Sequence, residues 1–327
     1  MSADHSAPPQ PSPTAPTQPT PIILDCDPGH DDALALLLAL ARPEVDLLGV
    51  TTVAGNATLD NTTRNALSVL TLVGRNDIPV AVGADRPLGR PLVTAAHVHG
   101  ASGLEGAALP APAVDPVAAS AVEFIARCVA ESPRPVTLVP TGPLTNIATF
   151  VTRHPELIDR VAHICLMGGA IGEGNLTASA EFNIWADPDA AAIVFGCGRP
   201  LTMIGLDVTH QAIMTAADAD RMEAQGGRTS RVFADLLRYF ARFHRDRYGW
   251  DGSPIHDAVA VAHALDLGLV MTRPYRVDVE VDSELTRGRT VIDLHGLSGR
   301  SPNADVGLSI DRTRFVDLLL EAVATFP

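Results

Sequence analysis

The chain contains no lysine: its 24 basic residues are all arginine, against 38 aspartates and glutamates, and the net charge is −14. The absence of lysine excludes catalytic sites built around that residue, including the phosphate-binding loop whose lysine holds the β- and γ-phosphates. The acidic balance argues against nucleic-acid backbones and anionic membranes as partners, because both would repel the chain. The remaining candidates are small molecules and proteins.

Cysteine, aromatic residues and long apolar runs are also scarce. The four cysteines, Cys26, Cys128, Cys165 and Cys197, show no C-x-x-C spacing, which predicts reduced thiols and a cytoplasmic location. The longest apolar run is only about ten residues, too short to cross a bilayer. With 327 residues, of which 46% are hydrophobic, the chain is nevertheless long enough to bury a large core.

Residues 1–20 differ in composition from the rest of the chain. They are mainly proline, serine, threonine and alanine and lack the apolar stretch of a signal peptide, which predicts a disordered N-terminal tail. From residue 21 onward we find no internal repeat and no linker, so the sequence predicts a single domain over 21–327.

Apolar strand patterns alternate with helical patterns over most of this domain. The predicted strands are 21–26, 45–53, 79–82, 136–140, 161–167, 200–206, 275–282, 289–295 and 305–310. The predicted helices are 31–41, 60–74, 117–130, 143–152, 187–196, 215–224, 229–247, 256–266 and 312–325. This alternation predicts an α/β fold with a mostly parallel open sheet flanked by helices. The last strands lack intervening helices, which predicts a small antiparallel C-terminal extension.

The segment from Ile22 to Asp32 concentrates acidic side chains. It reads I-I-L-D-C-D-P-G-H-D-D, in which a short apolar strand is followed by a turn and then by the start of a helix. Four carboxylates that converge on one strand-to-helix turn repel each other unless a cation is bound there. Because all the candidate ligands are oxygen atoms, Ca²⁺ or Mg²⁺ is favoured over zinc.

Further polar residues follow the ends of other predicted strands. Ligands of open α/β sheets bind outside the carboxyl ends of the strands, so these side chains are candidates for one common site. Amide and carboxylate groups supply both donors and acceptors, which suits a polyhydroxyl ligand such as a sugar. The candidates are Asn56, Thr141, Asn175, Glu181, Asn183, His256 and Asp257.

Seven short segments, in this order, resemble the inosine–uridine nucleoside hydrolase family. The resemblance extends from about residue 21 to the end of the chain and implies hydrolysis of the N-glycosidic bond of ribonucleosides to ribose and free base, in nucleoside salvage. It also implies a related parallel-sheet fold, one Ca²⁺ per subunit, and a homodimer or homotetramer. The segments are D-C-D-P-G-H-D-D, A-G-N, H-V-H-G, V-P-T-G-P-L-T-N, L-M-G-G, E-F-N and I-H-D-A.

The resemblance also implies a role for each matching residue. Asp27, Asp32 and Asp257 would bind Ca²⁺ through carboxylates and Thr141 through its backbone carbonyl. Asp27 would also take the proton from the attacking water, and Asp25 would support the ligands from behind. Asp31, Asn56, Asn175, Glu181 and Asn183 correspond to the ribose-binding set, His99 to a histidine near the base, and His256 to the acid that protonates the leaving group.

Three positions carry expectations of their own. Because Asp257 adjoins His256, we expect the pKa of the His256 imidazole to be raised. His97 and His99 alternate along what we predict to be an extended loop. Phe243 stands where some purine-accepting members of the family have a tyrosine hydroxyl, and this difference slightly favours pyrimidine nucleosides.

Two other classes of protein share part of this pattern. A strand ending in D-x-D also begins haloacid-dehalogenase-like phosphatases, in which Asp25 would be the nucleophile. That site also needs a later lysine, which this chain lacks. A non-catalytic nucleoside or ribose binder would keep the sugar pocket, but it would need neither Asp27 as a base nor His256 as an acid.

Overall fold

A computed structural model of the chain describes residues 18–265 and 268–327. Most of the predicted tail, residues 1–17, therefore lies outside the described residues. The first strand begins at Thr20, one residue before the predicted start at 21, and Thr20 donates its backbone N–H to the Glu44 carbonyl over 2.7 Å. None of the helices within the described ranges combines the length and the apolar character needed to cross a membrane.

Strands and helices alternate as the sequence pattern predicts. The strands are β1 Thr20–Cys26, β2 Val45–Thr52, β3 Val80–Val82, β4 Val136–Pro140, β5 Val161–Met167, β6 Leu201–Ile204, β7 Ile213–Met214, β8 Ser253–Pro254, β9 Val270–Val279, β10 Thr290–Asp293 and β11 Ala304–Ile310. The helices are α1 His30–Ala41, α2 Leu59–Leu72, α3 Ala96–His99, α4 Ala121–Glu131, α5 Thr145–Arg153, α6 Phe182–Ala186, α7 Pro188–Phe195, α8 Leu206–Thr209, α9 Ala216–Ala224, α10 Gly227–Tyr248, α11 His256–Leu265 and α12 Arg312–Ala324.

Nine of these strands form one sheet in the order β10-β9-β11-β6-β5-β4-β1-β2-β3. Seven neighbouring strands run parallel to one another, namely β11, β6, β5, β4, β1, β2 and β3. The strands β9 and β10 extend the sheet beyond β11, and each is antiparallel to its neighbours. The part 3-2-1-4-5-6 is the strand order of doubly wound nucleotide-binding folds. The predicted fold class, including its antiparallel C-terminal extension, is confirmed.

Helices cover both faces of the sheet and create two hydrophobic cores. Alternate residues of β1 point to opposite faces, so that Ile22 and Leu24 join the core beneath α1, α10, α11 and α12, whereas Ile23 joins the core beneath α4, α5 and α7. Helix α1 is buried around its whole circumference from His30 to Ala39. Such a helix has no solvent face, which explains why its sequence reads as nearly continuous leucine and alanine.

The structure differs from the sequence prediction mainly at short elements near strand ends. The predicted extended loop around His97 and His99 is wrong, because these residues lie in the single-turn helix α3. The helix predicted from residue 117 begins four residues later, after Ser120 accepts a hydrogen bond from the Glu123 N–H. The helices α6 and α8 were not predicted, since four or five residues are too few to show a helical period.

Replacement of Leu37 tests the buried environment of α1. Leu37 is completely buried in the core that α1 shares with α11 and α12. We expect Leu37→Ala to lower the free energy of unfolding by about 2–5 kcal/mol, because the lost contacts leave a cavity. Urea denaturation followed by circular dichroism measures this change. The matched control is Leu285→Ala, at a side chain that is 85% exposed, which should change stability by less than about 0.5 kcal/mol. Equal effects for the two variants would contradict the burial of α1.

Candidate functional site

The candidate site lies where the strand order of the sheet reverses. Strands β1 and β4 are adjacent there, while their crossover connections lead away to opposite sides, which opens a crevice at their carboxyl ends. Asp27 follows β1 and Thr141 follows β4, and the backbone N–H of Thr141 donates to the Asp25 carbonyl over 2.8 Å. The topology therefore brings together residues that are more than a hundred positions apart in the sequence.

Asp27 is completely buried, and its two carboxylate oxygens differ in their hydrogen bonding. Its Oδ2 accepts the backbone N–H of Asn56 over 2.6 Å, whereas its Oδ1 has no hydrogen-bond partner among the described residues. Two glycines make room for this carboxylate: a Cβ on Gly55 would lie 2.0 Å from Asp27 Oδ2, and one on Gly142 would lie 2.7 Å from Oδ1. The A-G-N and T-G-P segments thus supply the space that the carboxylate occupies.

Three other carboxylates converge beside Asp27. Asp31, Asp32 and Asp257 place ligand atoms within 4.8 Å of one another, and all three are buried. Asp32 is the most firmly held: its Oδ2 accepts from the Gly29 N–H over 3.0 Å, and its Oδ1 accepts from the Thr141 hydroxyl over 2.8 Å. The Thr141 side chain therefore orients a metal-ligand candidate, in addition to the backbone carbonyl that the resemblance singled out.

Burial and mutual repulsion oppose the ionisation of these carboxyl groups. Burial, and then repulsion from Asp32, raises the pKa of the Asp31 carboxyl to about 7. Burial raises the pKa of Asp257 well above its usual range, and repulsion from Asp31, Asp32 and Asp27 adds to the shift. Burial and repulsion from Asp32 likewise raise the pKa of Asp27. A bound cation would reverse these shifts, because it favours the ionised forms.

The donor atoms fit a hard divalent cation. The groups that converge here offer oxygen atoms, and Asp27 Oδ1 is a buried acceptor that meets no hydrogen-bond donor in the described part of the chain. The compact triad of Asp31, Asp32 and Asp257 differs by one member from the predicted carboxylate set, which contains Asp27 in place of Asp31. The Thr141 carbonyl accepts the Asn183 side-chain amide over 2.7 Å and keeps a second lone pair.

Asp25 lies behind these groups and faces away from the crevice. Its Oδ1 accepts from the Thr51 hydroxyl over 2.5 Å and from the Asn146 amide over 2.8 Å, so it links β1 to β2 and to α5. Burial raises the pKa of this carboxyl to about 7, against the opposing effect of these two hydrogen bonds. These contacts are those of a residue that supports the site from behind.

A cleft lined by both polar and aromatic side chains opens above the acids. Asp27 and Asp32 lie buried beneath its floor rather than in its wall. The other nine predicted site residues line the cleft: Asp31, Asn56, His99, Thr141, Asn175, Glu181, Asn183, His256 and Asp257.

Glu181 and Asn183 are held by hydrogen bonds at the start of α6. The two carboxylate oxygens of Glu181 accept the backbone N–H groups of Asn183, Ile184 and Gly169 over 2.8–3.1 Å. Glu181 therefore caps the helix in addition to lining the cleft, and its ribose contact stays a prediction. Asn175 Oδ1 accepts the backbone N–H of Phe182 over 2.9 Å, which fastens the preceding glycine-rich loop to the same helix.

His256 begins α11 beside Asp257, and its Nδ1 lies 2.8 Å from the hydroxyl of buried Thr209. Our expectation of a raised pKa for His256 is wrong. Loss of solvent around the ring, with repulsion from His210 and His244, holds the pKa of His256 well below its usual range. Desolvation outweighs the neighbouring carboxylate, which is itself driven towards its neutral form.

His99 is buried at the edge of the cleft, with Nδ1 3.0 Å from Nδ1 of His30. Burial is the main reason that the pKa of His99 lies well below its usual range. The neighbouring His97 is exposed, although it also lines the cleft. Helix α3 thus directs the two histidines of H-V-H-G to different environments: His99 is buried and His97 is exposed.

An aromatic wall also lines the cleft; the sequence pointed to Phe243 but not to the wall as a whole. Phe182 contributes to it, and Tyr248 and Trp250 stack with ring centroids 4.7 Å apart. The available signal was the helical spacing of residues 240, 243, 244 and 248, which places four rings on one face of α10. The residues of this wall are Phe182, His210, Phe240, Phe243, His244, Tyr248 and Trp250.

Known proteins resemble the chain over nearly its whole length. Residues 22–317 match the inosine–uridine preferring nucleoside hydrolase family. The pyrimidine-specific ribonucleoside hydrolase RihA of Citrobacter koseri is 51% identical over 94% of this chain and 98% of its own, and a Shewanella protein of the same name is 52% identical over 94% and 96%.

Solved structures agree with this match. A purine-preferring ribonucleoside hydrolase from Gardnerella vaginalis superposes with a TM-score of 0.88 at 34% identity, covering 93% of this chain and 98% of its own. A plant nucleoside hydrolase superposes with a TM-score of 0.87 at 33% identity, covering 94% and 99%. The predicted resemblance is confirmed: the chain belongs to the inosine–uridine preferring nucleoside hydrolase family and is a ribonucleoside hydrolase, a glycosidase that acts on N-glycosyl compounds.

Proposed function

We propose that this enzyme hydrolyses pyrimidine ribonucleosides to ribose and free base with the help of one bound Ca²⁺, in nucleoside salvage. The observation that supports it best is the pairing of a buried acidic cluster with an aromatic wall across one cleft. The acids suit a cation and a sugar with several hydroxyls, whereas the flat rings suit a planar base.

The preference for pyrimidines rests mainly on relatives. The two RihA proteins named above are described as pyrimidine-specific at 51–52% identity, whereas the purine-preferring enzyme is only 34% identical. Phe243 lines the cleft without a hydroxyl, but Tyr248 brings a phenol to the same wall, so the cleft does not lack one. The argument from Phe243 is therefore weaker than the argument from the relatives.

The carboxylates fit the chemistry of N-glycoside cleavage. The reaction passes through a ribosyl cation, which resembles the oxocarbenium-like transition state of O-glycoside hydrolysis. Asp27, whose Oδ1 has no hydrogen-bond partner among the described residues, would accept the proton of the attacking water. Asp31 and Glu181 place negative charge in the cleft, which favours positive charge on the sugar.

Asp27, Asp32, Asp257 and the Thr141 carbonyl would hold the cation, with Asp31 close enough to contribute. When bound, Ca²⁺ supplies Lewis acidity that makes water more acidic, and it offers coordination positions to ribose hydroxyls. Asn56 and Asn183 keep the floor in place: the Asn56 amide donates to Asp32 over 3.2 Å, and the Asn183 amide donates to the Thr141 carbonyl.

His256 is the candidate that assists the departing base. If the Thr209 hydroxyl donates to His256 Nδ1, the proton of the neutral imidazole lies on Nε2 and can be directed at the leaving group. Because the pKa of His256 is lowered, the protonated ring would be a strong acid, but only a small fraction of the protein would carry it at neutral pH. His244, whose Nδ1 lies 3.2 Å from the Phe240 carbonyl, is the second candidate in the same cleft.

Turnover of a nucleoside panel tests the proposed substrate class. We expect ribose release from uridine and cytidine at a kcat/KM at least about tenfold above that for inosine, adenosine and guanosine, a difference of about 1.4 kcal/mol in transition-state binding. A reducing-sugar assay measures it, and release of inorganic phosphate from uridine monophosphate tests the phosphatase alternative. A purine preference would contradict the substrate class. Binding of nucleosides without ribose release would favour the non-catalytic binder.

Replacement of the buried aspartates tests the cation site. We expect Asp27→Asn to lower Ca²⁺ affinity and to lower kcat by about 10²-fold or more, because it removes both a ligand and the base. Asp25→Asn should instead mainly lower the melting temperature, since its contacts lead to Thr51 and Asn146. Isothermal titration with Ca²⁺ and differential scanning calorimetry separate the two effects.

Asp46→Asn, on the partly exposed part of β2, is the control and should leave Ca²⁺ binding unchanged. Metal analysis of desalted protein gives an independent reading of the same site. Stoichiometric zinc, or Asp27→Asn protein that binds Ca²⁺ as tightly as the wild type, would contradict the proposed ligand set.

Removal of His256 tests the leaving-group role. We expect His256→Ala to lower kcat for uridine by about 10²–10⁴-fold, the range of general acid catalysis. p-Nitrophenyl riboside should lose much less, because its leaving group departs without a proton. Steady-state kinetics on both substrates measures the difference. Equal losses would make His256 a structural neighbour of Asp257 and would direct the search to His244 or His99.

The finer biological assignments also belong to this proposal. The four cysteines are free thiols, with Cys26 and Cys165 buried, which supports a reducing cytoplasm. The homodimer or homotetramer implied by the resemblance remains a prediction.

A further inference from the structure

The antiparallel extension of the sheet contacts a segment next to the cleft through one side chain. Strand β10 is the outermost strand at its edge of the sheet, and its first residue, Thr290, is buried. The Thr290 hydroxyl accepts the backbone N–H of Ala170 over 2.9 Å and donates to the carbonyl of the same residue over 2.7 Å. One hydroxyl thus satisfies both backbone groups of Ala170, as a neighbouring strand would.

Ala170 belongs to a glycine-rich segment, residues 168–174, that connects β5 to the residues before α6. The segment forms no helix or strand of its own, so its backbone groups need partners from elsewhere in the fold. Asp207 of α8 supplies two more contacts, since its carboxylate accepts the N–H groups of Ile171 over 2.5 Å and of Gly172 over 3.2 Å. Two side chains from different parts of the fold therefore hold three consecutive residues.

The residue before Ala170 connects this contact to the cleft. The backbone N–H of Gly169 donates to Glu181 Oε2 over 3.0 Å, and Glu181 lines the cleft. This carboxylate also accepts the N–H groups of Asn183 and Ile184, which belong to α6. The Gly169 contact therefore ties Glu181 to the end of β5, whereas the other two fix it relative to its own helix.

Thr290 also fits closely against Gly169. This glycine has a φ of +77°, a left-handed conformation that favours glycine. A Cβ at this position would lie 2.8 Å from Thr290 Cγ2 and 3.0 Å from Thr290 Oγ1. The methyl group and the hydroxyl of Thr290 therefore limit the movement of the Gly169 N–H that Glu181 accepts.

We propose that Thr290 is a positioning residue for Glu181: its hydroxyl holds Ala170, and thereby Gly169, so that the Glu181 carboxylate keeps its place in the cleft. The antiparallel extension thus acts on the site although none of its residues lines the cleft. The effect of Glu181 on the reaction rests on the proposed function, whereas the hold of Thr290 on the glycine-rich segment is a property of the protein alone.

Hydrogen–deuterium exchange of the full chain, read by mass spectrometry on the peptide that contains Ala170, tests this hold. Thr290→Val keeps the shape of the side chain but removes the hydroxyl, so the Ala170 N–H should exchange about 3- to 10-fold faster, the effect of one neutral hydrogen bond. Thr290→Ser keeps the hydroxyl and should exchange at the wild-type rate. The matched control is Thr202→Val, at a buried threonine of β6 whose hydroxyl lies 2.9 Å from His163 Nε2, and it should leave this peptide unchanged.

A double-mutant cycle tests whether Thr290 acts through Glu181. We expect Thr290→Val to lower kcat for uridine by about tenfold with little change in KM, because a displaced Glu181 loses its interaction with the charge of the transition state. In Glu181→Gln protein the same substitution should lower kcat by less than about threefold, since residues that act as a unit are not additive. A merely structural role of Thr290 would give the same loss in both proteins. Thr290→Ser should keep the wild-type kcat, as should the Thr202→Val control.

Unchanged exchange in folded Thr290→Val protein would overturn the inference. So would an undiminished kcat in that variant, or equal losses of kcat with and without Glu181. If Thr290→Val does not fold, Thr290→Ala, which leaves room for a water molecule beside Ala170, takes its place in each comparison. The absence of ribose release by the wild type would instead refute the proposed function, and the exchange rates would still decide whether Thr290 holds the segment.

Discussion

Crowding of buried carboxylates at the reversal of the strand order is the constraint on which the rest of the site depends. Asp27, Asp31, Asp32 and Asp257 are withdrawn from water, and repulsion within the cluster adds to burial in raising the pKa of Asp27, Asp31 and Asp257. Asp27 and Asp32 accept hydrogen bonds from backbone N–H groups, from the Asn56 amide and from the Thr141 hydroxyl. These bonds orient the carboxylates but do not cancel their charge, which is why the cluster calls for a cation.

The same crowding explains why this part of the fold leaves space for the carboxylates as well as carrying their charge. Asp27 occupies a slot in which neither Gly55 nor Gly142 could carry a side chain without displacing a carboxylate oxygen. The slot is made by loops after β2 and β4, the two strands that flank β1. Because these loops start from neighbouring strands, the sheet fixes the positions of the acids more rigidly than loops alone would.

The two sides of the cleft are chemically different. The floor presents carboxylates and amides, whereas the far wall presents aromatic rings and imidazoles from α10 and the turn that follows it. Burial holds the pKa values of His30, His99, His244 and His256 below the usual range, which favours the neutral form of each ring, with one nitrogen that donates and one that accepts. The proton position on each ring then matters more than its charge.

The sequence by itself determined the fold class, the metal-site candidates and most of the cleft. Apolar runs ending in Asp27 or Thr141 marked the strand ends, and parallel strands bring their ends to one edge of the sheet. Only the tertiary structure decided what depends on contacts between distant segments. It placed Asp27 and Asp32 beneath the floor, buried His99 while leaving His97 exposed, and lowered the pKa of His256 in spite of adjacent Asp257. It also assembled the aromatic wall and linked Thr290 to the backbone of Ala170. Desolvation and hydrogen-bond direction are set by neighbours in space, and a linear pattern does not encode those neighbours.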